Sequence, residues 1–314
     1  MPLHPEAKHI IDVATAATGL PDPDPSVEEL RAQWGAFLTI LGTAAAPAPI
    51  YYVENRTIPG PGGDIPIRVY RPSDAPSLPV VVYLHGGGWV LGSIGDYDSI
   101  LRPVANRVDA IVVSVEYRLA PDHKFPAALD DAWAATTWVV AHAAEMGGDA
   151  RRVAVMGDSS GGDLAAVIAL MARDEGEPDL ALQVLLYPVV DEEFTSPSMI
   201  ENASGYLLET ERMRWFFRQY LTDAADGDDW RVSPLRAADL AGVAPALVVT
   251  AEYDPLRDQG NAYSARLRDA CVAVEHTEYP GVFHGFFGLQ QILEPAEQLF
   301  EQVVAALRRA FQGA

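Results

Sequence analysis

The 314-residue chain holds a single cysteine, Cys271, and only two lysines, Lys8 and Lys124. One cysteine allows no intrachain disulfide, which excludes a disulfide-dense secreted scaffold and favours a reducing cytoplasm. No stretch of 18 or more apolar residues occurs, so no transmembrane helix is expected. Met1–Lys8 is polar and carries prolines, without the apolar core of a secretory signal. Positive charge is scarce: 22 Lys and Arg against 44 Asp and Glu leave a net charge of −22. Such a field repels phosphate backbones, which argues against nucleic acid and membrane surfaces as partners. The acidity and the arginine-over-lysine bias fit GC-rich codon usage with a solvated acidic surface, or adaptation to high salt. No Cys, His and Asp cluster has zinc-like spacing, so no metal or other cofactor is expected. A hydrophobic fraction of 49% with 21% charged residues is that of a globular chain, not a disordered one.

What is present divides at about residue 50. Helical patterns over about His4–Ala17 and Ser26–Leu41 flank a proline-rich break, Pro21–Pro25. Ser26 followed by Glu29 is a capping box, and Trp34, Phe37, Leu38 and Leu41 recur at helical spacing. The stretch Thr43–Pro49 links this unit onward. Tyr51–Ile58 and Ile65–Tyr70 read as early strands. Short apolar runs then follow at Val80–Leu84, Ala110–Val115, Val153–Met156, Leu182–Tyr187, Ala246–Thr250 and Val274–Tyr279. Helical patterns at about Ile100–Val108, Phe125–Ala143, Leu164–Arg173, Asn261–Cys271 and Pro295–Phe311 lie between or after them. Continuous apolar strands alternating with helices predict an α/β fold, a mostly parallel sheet covered on both faces. Between Pro188 and Pro245 the alternation breaks; the insert holds a helix, about Glu209–Leu221, and an acidic turn, Asp223–Asp229. Long insertions of this kind are lids or binding loops. The expected division is residues 1–50 and 191–235 as a helical cap, with 51–190 and 236–314 as core.

Gly157-Asp158-Ser159-Ser160-Gly161 follows an apolar strand and precedes a helix. This is G-x-S-x-G in the strand–turn–helix setting of an α/β-hydrolase nucleophile elbow. Its glycines make room for a sharp turn that lifts the Ser159 hydroxyl out of the sheet. His85-Gly86-Gly87-Gly88-Trp89 directly follows Val80–Leu84. Successive glycines turn backbone N–H groups towards a substrate oxygen, so Gly86, Gly87, Gly88 and the N–H of Ser160 are candidate oxyanion donors. Gly86, Gly88 and Gly92 do not match the G-x-G-x-x-G spacing of a dinucleotide loop.

A nucleophilic serine in this setting needs an acid and then a histidine downstream. His276 lies inside an expected strand, whereas His284 lies in the turn-like stretch Pro280–Phe286, so His284 is the preferred base. Glu252, Asp254 and Asp258 follow the strand Ala246–Thr250. Asp258 reads as a helix cap, and Asp254, stiffened by Pro255, is the preferred acid.

These motifs, with Tyr117-Arg-Leu-Ala-Pro121, Phe125-Pro-Ala-Ala-Leu-Asp-Asp131, Asp254-Pro-Leu-Arg-Asp-Gln-Gly260 and His284-Gly-Phe286, resemble the hormone-sensitive-lipase-like esterases. These are the bacterial family IV carboxylesterases of the α/β-hydrolase fold. The resemblance implies a Ser159–Asp254–His284 triad, an oxyanion hole in the glycine loop, and a helical cap. It implies a small ester as substrate, with a bias to short and medium acyl chains, and a homodimer through the last strand and helix. An amidase, deacetylase or lactonase would use the same groups, and a receptor on this fold would keep an incomplete triad. Trp34, Phe37, Leu38, Trp89, Tyr206, Leu207, Met213, Trp215 and Phe216 are the candidate substrate-binding residues, with core packing as the competing role for each. Two positions depart from the family pattern: Ser160 replaces the usual alanine and Asp163 the usual asparagine.

Overall fold

A computed structural model describes residues 2–18, 24–40 and 47–313. Leu41, Pro21–Pro23 and most of the Thr43–Pro49 stretch lie outside the described residues.

The strands are β1 (Tyr52–Gly60), β2 (Gly63–Arg71), β3 (Leu78–Leu84), β4 (Ile111–Val115), β5 (Gly148–Asp158), β6 (Leu182–Leu186), β7 (Ala246–Tyr253) and β8 (Val274–Phe283). They form one eight-stranded sheet in the order β1-β2-β4-β3-β5-β6-β7-β8. Pairing is antiparallel for β1–β2 and β2–β4, and parallel from β4 to β8. Every residue of β3, β4 and β6 is buried, the signature of strands covered on both faces.

The helices are α1 (Pro5–Thr18), α2 (Val27–Ile40), α3 (Asp98–Val108), α4 (Ala127–Ala141), α5 (Ser160–Glu175), α6 (Pro197–Glu201), α7 (Thr210–Tyr220), α8 (Arg257–Asp269) and α9 (Glu294–Gly313). Val80, Val82 and Leu84 face one core with α4, α5 and α8, while Val81 and Tyr83 face the other with α3 and α9. Burying each large apolar side chain contributes about 1.5–3 kcal/mol, so these two layers supply the main folding drive.

β3 pairs with β4 on one side and β5 on the other. The chain therefore reverses its direction of travel across the sheet at β3. Strand ends at such a reversal form a crevice suited to ligands. The glycine loop leaves β3 and Ser159 leaves β5, at neighbouring positions: Leu84 pairs with Gly157.

The capping box forms as expected. Glu29 N–H donates to Ser26 Oγ at 3.2 Å, and Ser26 N–H donates to Glu29 Oε2 at 3.1 Å. Helix α2 then reaches the core through Arg31, which donates to the carbonyls of Val90 and Ala120 and pairs with Asp122. Arg218 of α7 pairs with Asp24 at 3.0 Å.

Several elements differ from the sequence reading, two of them beside the candidate site. β8 does not end at Tyr279 but runs on to Phe283, because pairing with β7 resumes at Tyr253–Phe283 beyond an irregularity. Gly281 sits at that break; its N–H donates to Glu252 Oε2 and its carbonyl accepts the His4 N–H. Helix α5 starts at Ser160 rather than Leu164, since the glycines there allow the helix to form immediately after the turn. The insertion also holds the short helix α6, which lacks an amphipathic repeat long enough to read in sequence. Among the described residues, no helix is long and apolar enough to cross a membrane.

Candidate active site

Ser159 occupies the turn between β5 and α5 at φ +55° and ψ −119°. This is unfavourable backbone for a serine, costing on the order of 1–3 kcal/mol. The turn closes so tightly that a Cβ on Gly157 would clash with the Gly161 carbonyl, and one on Gly161 with the Leu84 carbonyl. It is held by Ser159 N–H donating to the Leu186 carbonyl at 2.9 Å and by Val189 N–H donating to the Ser159 carbonyl at 3.1 Å.

Three strand ends bring the expected trio together. His284 Nε2 lies 2.9 Å from Ser159 Oγ, and His284 Nδ1 lies 2.7 Å from Asp254 Oδ2. Asp254 is fully buried, and its other oxygen accepts the Leu256 N–H at 2.8 Å. The Asn202 amide, from the insertion, donates to the carbonyls of Glu252 and Asp254, both at 3.1 Å. Tyr187 stands edge-on to the His284 ring with centroids 4.9 Å apart. Neither Asn202 nor Tyr187 carries a spacing signal that sequence reading would detect.

The alternatives for base and acid have other roles. His276 stays on the sheet, 3.3 Å from Thr250 Oγ1. Glu252 receives the Gly281 N–H at 2.7 Å. Asp258 is not the cap of its own helix, whose N-cap position is Leu256. Its carboxylate instead accepts the Ser198 N–H at 2.8 Å, in the first turn of α6, where that donor lacks a helical partner.

The glycine loop requires one correction. Gly86 is not an oxyanion donor, because its N–H is already taken by Asp158 Oδ1 at 2.9 Å and Tyr97 Oη at 3.1 Å. Gly87 and Gly88, at φ +119° and +62°, adopt backbone that favours glycine. A Cβ on Gly88 would run into the Phe216 ring, which places this side chain of α7 against the loop. His85 is fully buried, with Nδ1 2.8 Å from the Gly86 carbonyl. Burial pushes its pKa down to about 4, so the ring is neutral and donates from Nδ1.

The candidate substrate residues split. Trp89, Met213 and Trp215 are buried to 0%, 1% and 1% exposure, and Trp89 stacks on Tyr220 at 4.2 Å. They pack helix on sheet, because flat aromatic and thioether side chains fill the layer between α7 and the core. Trp34, Phe37 and Leu38 are half-buried, and Trp34 donates to Asp96 at 3.1 Å. Tyr206 and Leu207 are half-buried, and Tyr206 packs on Tyr253 at 4.8 Å.

The two departures from the resemblance also separate. Ser160 Oγ accepts the Trp89 N–H at 3.2 Å. Asp163 is fully buried, and its carboxyl oxygens make no hydrogen bond among the described residues. Burial pushes this acid well above the usual carboxylate range, with the nearby Trp89 indole pulling weakly the other way. Among the described residues, no group of His, Cys, Asp and Glu is arranged to hold a metal ion.

A deep serine–histidine–aspartate line on a parallel sheet invites comparison with known proteins. The alpha/beta hydrolase fold family matches residues 81–288, which include all three side chains. The chain belongs to this family. The hydrolase is 43% identical over 267 residues to carboxylesterase NlhH of Mycobacterium tuberculosis, covering 83% of this chain and 84% of that protein. It is 44% identical over 252 residues to an ethyl acetate hydrolase of Pseudomonas putida, covering 79% of each. Its fold superposes on a hyperthermophilic esterase from the archaeon Pyrobaculum calidifontis with a TM-score of 0.94 at 45% identity, covering 98% of this chain and 99% of that one. The resemblance to hormone-sensitive-lipase-like esterases therefore holds.

Proposed function

We propose that this hydrolase is a serine carboxylesterase acting on short- to medium-chain esters. The observation that carries the reading is the unbroken line from buried Asp254 through His284 to Ser159. Ser159 Oγ attacks the ester carbonyl while His284 Nε2 takes its proton. Asp254 holds the Nδ1–H tautomer and stabilises the imidazolium. The carbonyl oxygen, as it becomes anionic, is received by the N–H groups of Gly87, Gly88 and Ser160. His284 gives the proton to the departing alcohol, leaving Ser159 acylated. Water then attacks the acyl group with His284 as base, releasing the acid and restoring the serine.

Relatives named as a carboxylesterase and an ethyl acetate hydrolase support an ester substrate. The Phe216 ring against Gly88 restricts space beside the loop, which supports small acyl groups. In this reading Phe216, Tyr206 and Leu207 line the pocket, and residues 1–50 with 191–235 make up the cap. The exposed thiol of Cys271 suits a reducing cytoplasm, and the edge strand β8 with α9 offers a surface for a second copy. Light scattering that returns a monomer would remove the dimer.

The test is hydrolysis of p-nitrophenyl esters of graded acyl length, wild type beside Ser159→Ala. Turnover greatest on short chains and absent from the variant supports the proposal. A folded wild type inert on every chain length overturns it.

A further inference from the structure

The residues on either side of the nucleophile grip opposite ends of the glycine loop. Before Ser159, the Asp158 carboxylate accepts the Gly86 N–H at 2.9 Å. After it, the Ser160 hydroxyl oxygen accepts the Trp89 N–H at 3.2 Å. The N–H groups of Gly87 and Gly88, between these pins, meet no acceptor among the described residues.

Each pin is itself braced. The Tyr83 hydroxyl donates to Asp158 Oδ1 at 2.6 Å and the Tyr97 hydroxyl to Oδ2 at 3.0 Å. Asp158 is buried, so these donors satisfy a carboxylate that water does not reach. The Tyr117 hydroxyl donates to the His85 carbonyl at 2.6 Å, fixing the residue where the loop begins, and lies beside the Ser160 hydroxyl.

We infer that Asp158 and Ser160 are positioning residues for the oxyanion donors: by occupying the N–H groups of Gly86 and Trp89, they present those of Gly87 and Gly88 to the reacting carbonyl oxygen. The inference rests on the esterase reading above. Its physical basis is the looseness of a glycine run, which loses more freedom on ordering than any other sequence. Oxyanion stabilisation demands donors held about 2.7–3.1 Å from the developing charge. A loop pinned at one end pivots; pinned at both, it presents its middle. Ser160 matters here although alanine is usual at its position. Trp89 is fully buried, and without the hydroxyl its N–H has no partner.

The experiment compares Ser160→Ala, Asp158→Asn and Tyr97→Phe with wild type in three readouts. These are kcat against KM on a p-nitrophenyl ester, affinity for a trifluoromethyl ketone that forms an oxyanion adduct with Ser159, and amide exchange over residues 85–91. The expected loss is about 5–10-fold in kcat for Ser160→Ala and about 100-fold for Asp158→Asn. Ketone affinity should fall by the same factors with KM nearly constant, and exchange over 85–91 should quicken. Tyr97→Phe, which loosens the same pin less severely, serves if Asp158→Asn does not fold. Unchanged exchange over 85–91 in folded variants overturns the inference, as does lost kcat with ketone affinity preserved. An inert wild type whose variants still show quickened exchange speaks against the esterase reading and supports the clamp.

Discussion

The Trp215 indole of α7 donates its N–H to the Pro25 carbonyl at 3.1 Å, joining segments 190 residues apart in the chain. Trp215 is otherwise sealed in the core, so this bond ties the start of α2 directly to a rigid element. Trp215→Phe keeps an aromatic ring and removes the donor. The expected cost is about 1–2 kcal/mol, felt in the docking of residues 24–40. Limited proteolysis should cut that segment faster than the accompanying fall in core melting, caused by the smaller buried ring, accounts for. Equal cleavage rates would show that other contacts hold the segment.

Asp254→Asn should leave the fold intact and lower kcat by roughly 10⁴-fold, with KM little changed. The carboxylate that accepts the hydrogen bond from His284 Nδ1–H would become an amide able to favour the wrong tautomer. Steady-state kinetics checks this, and a loss below tenfold would remove Asp254 from the triad.

Asp163 predicts an unusual pH dependence of stability. Burial raises its folded pKa above the 3.8 of an exposed side chain. The folded state therefore keeps a proton that the unfolded chain releases. This group's stabilisation is complete below about pH 3.8 and is lost as pH rises through the folded value. Asp163→Asn, neutral throughout, should be about 1–3 kcal/mol more stable than wild type at pH 8. Denaturant melts from pH 4 to pH 8 test it; a variant less stable at pH 8 contradicts the prediction.

His85 acts with the opposite sign. Its pKa falls from 6.5 to about 4 because burial disfavours the cation. Stability from this group is present above pH 6.5 and lost as pH falls towards 4. The loss amounts to about 3 kcal/mol at roughly 1.4 kcal/mol per pH unit. Its slope opposes that of Asp163, so it is best measured in the Asp163→Asn background. Imidazole nitrogen shifts should show a neutral Nδ1–H ring at pH 6; a charged ring there would refute it.

Phe216 leans on the glycine loop at Gly88. Phe216→Ala opens space beside Gly88, one of the proposed oxyanion donors. The ratio of kcat/KM for an eight-carbon over a two-carbon acyl ester should rise about tenfold, the size expected of a few methylenes gaining a pocket. An unchanged ratio would place acyl recognition elsewhere.

The sequence carried the chemistry in local form. Ser159 is legible because G-x-S-x-G states the steric need of its own turn, and Gly157 and Gly161 are indeed where a side chain would clash. The buried strands are legible because covering on both faces demands continuous apolar runs, as in Val80–Leu84. His284 lies in a turn, as its sequence suggests, but directly after a strand that runs on to Phe283, since Pro280 and Gly281 mimic a turn while the ladder resumes beyond them.

Other features depended on neighbours far along the chain. Nothing in His85–Trp89 shows that Gly86 spends its N–H on Asp158, because that bond forms only when β3 and β5 lie side by side. Asn202 steadies the Asp254 loop through backbone carbonyls 50 and 52 positions away, a contact without periodicity. Trp89, Met213 and Trp215 have the composition of a pocket and the burial of a core. Hydrophobicity tells a side chain to leave water, and only packing decides whether it meets a ligand or another side chain. Residue types and local steric demands therefore set the reaction class and the fold in advance. Which glycine N–H groups are already taken and which aromatic side chains are sealed in the core were decided by which strands and helices became neighbours.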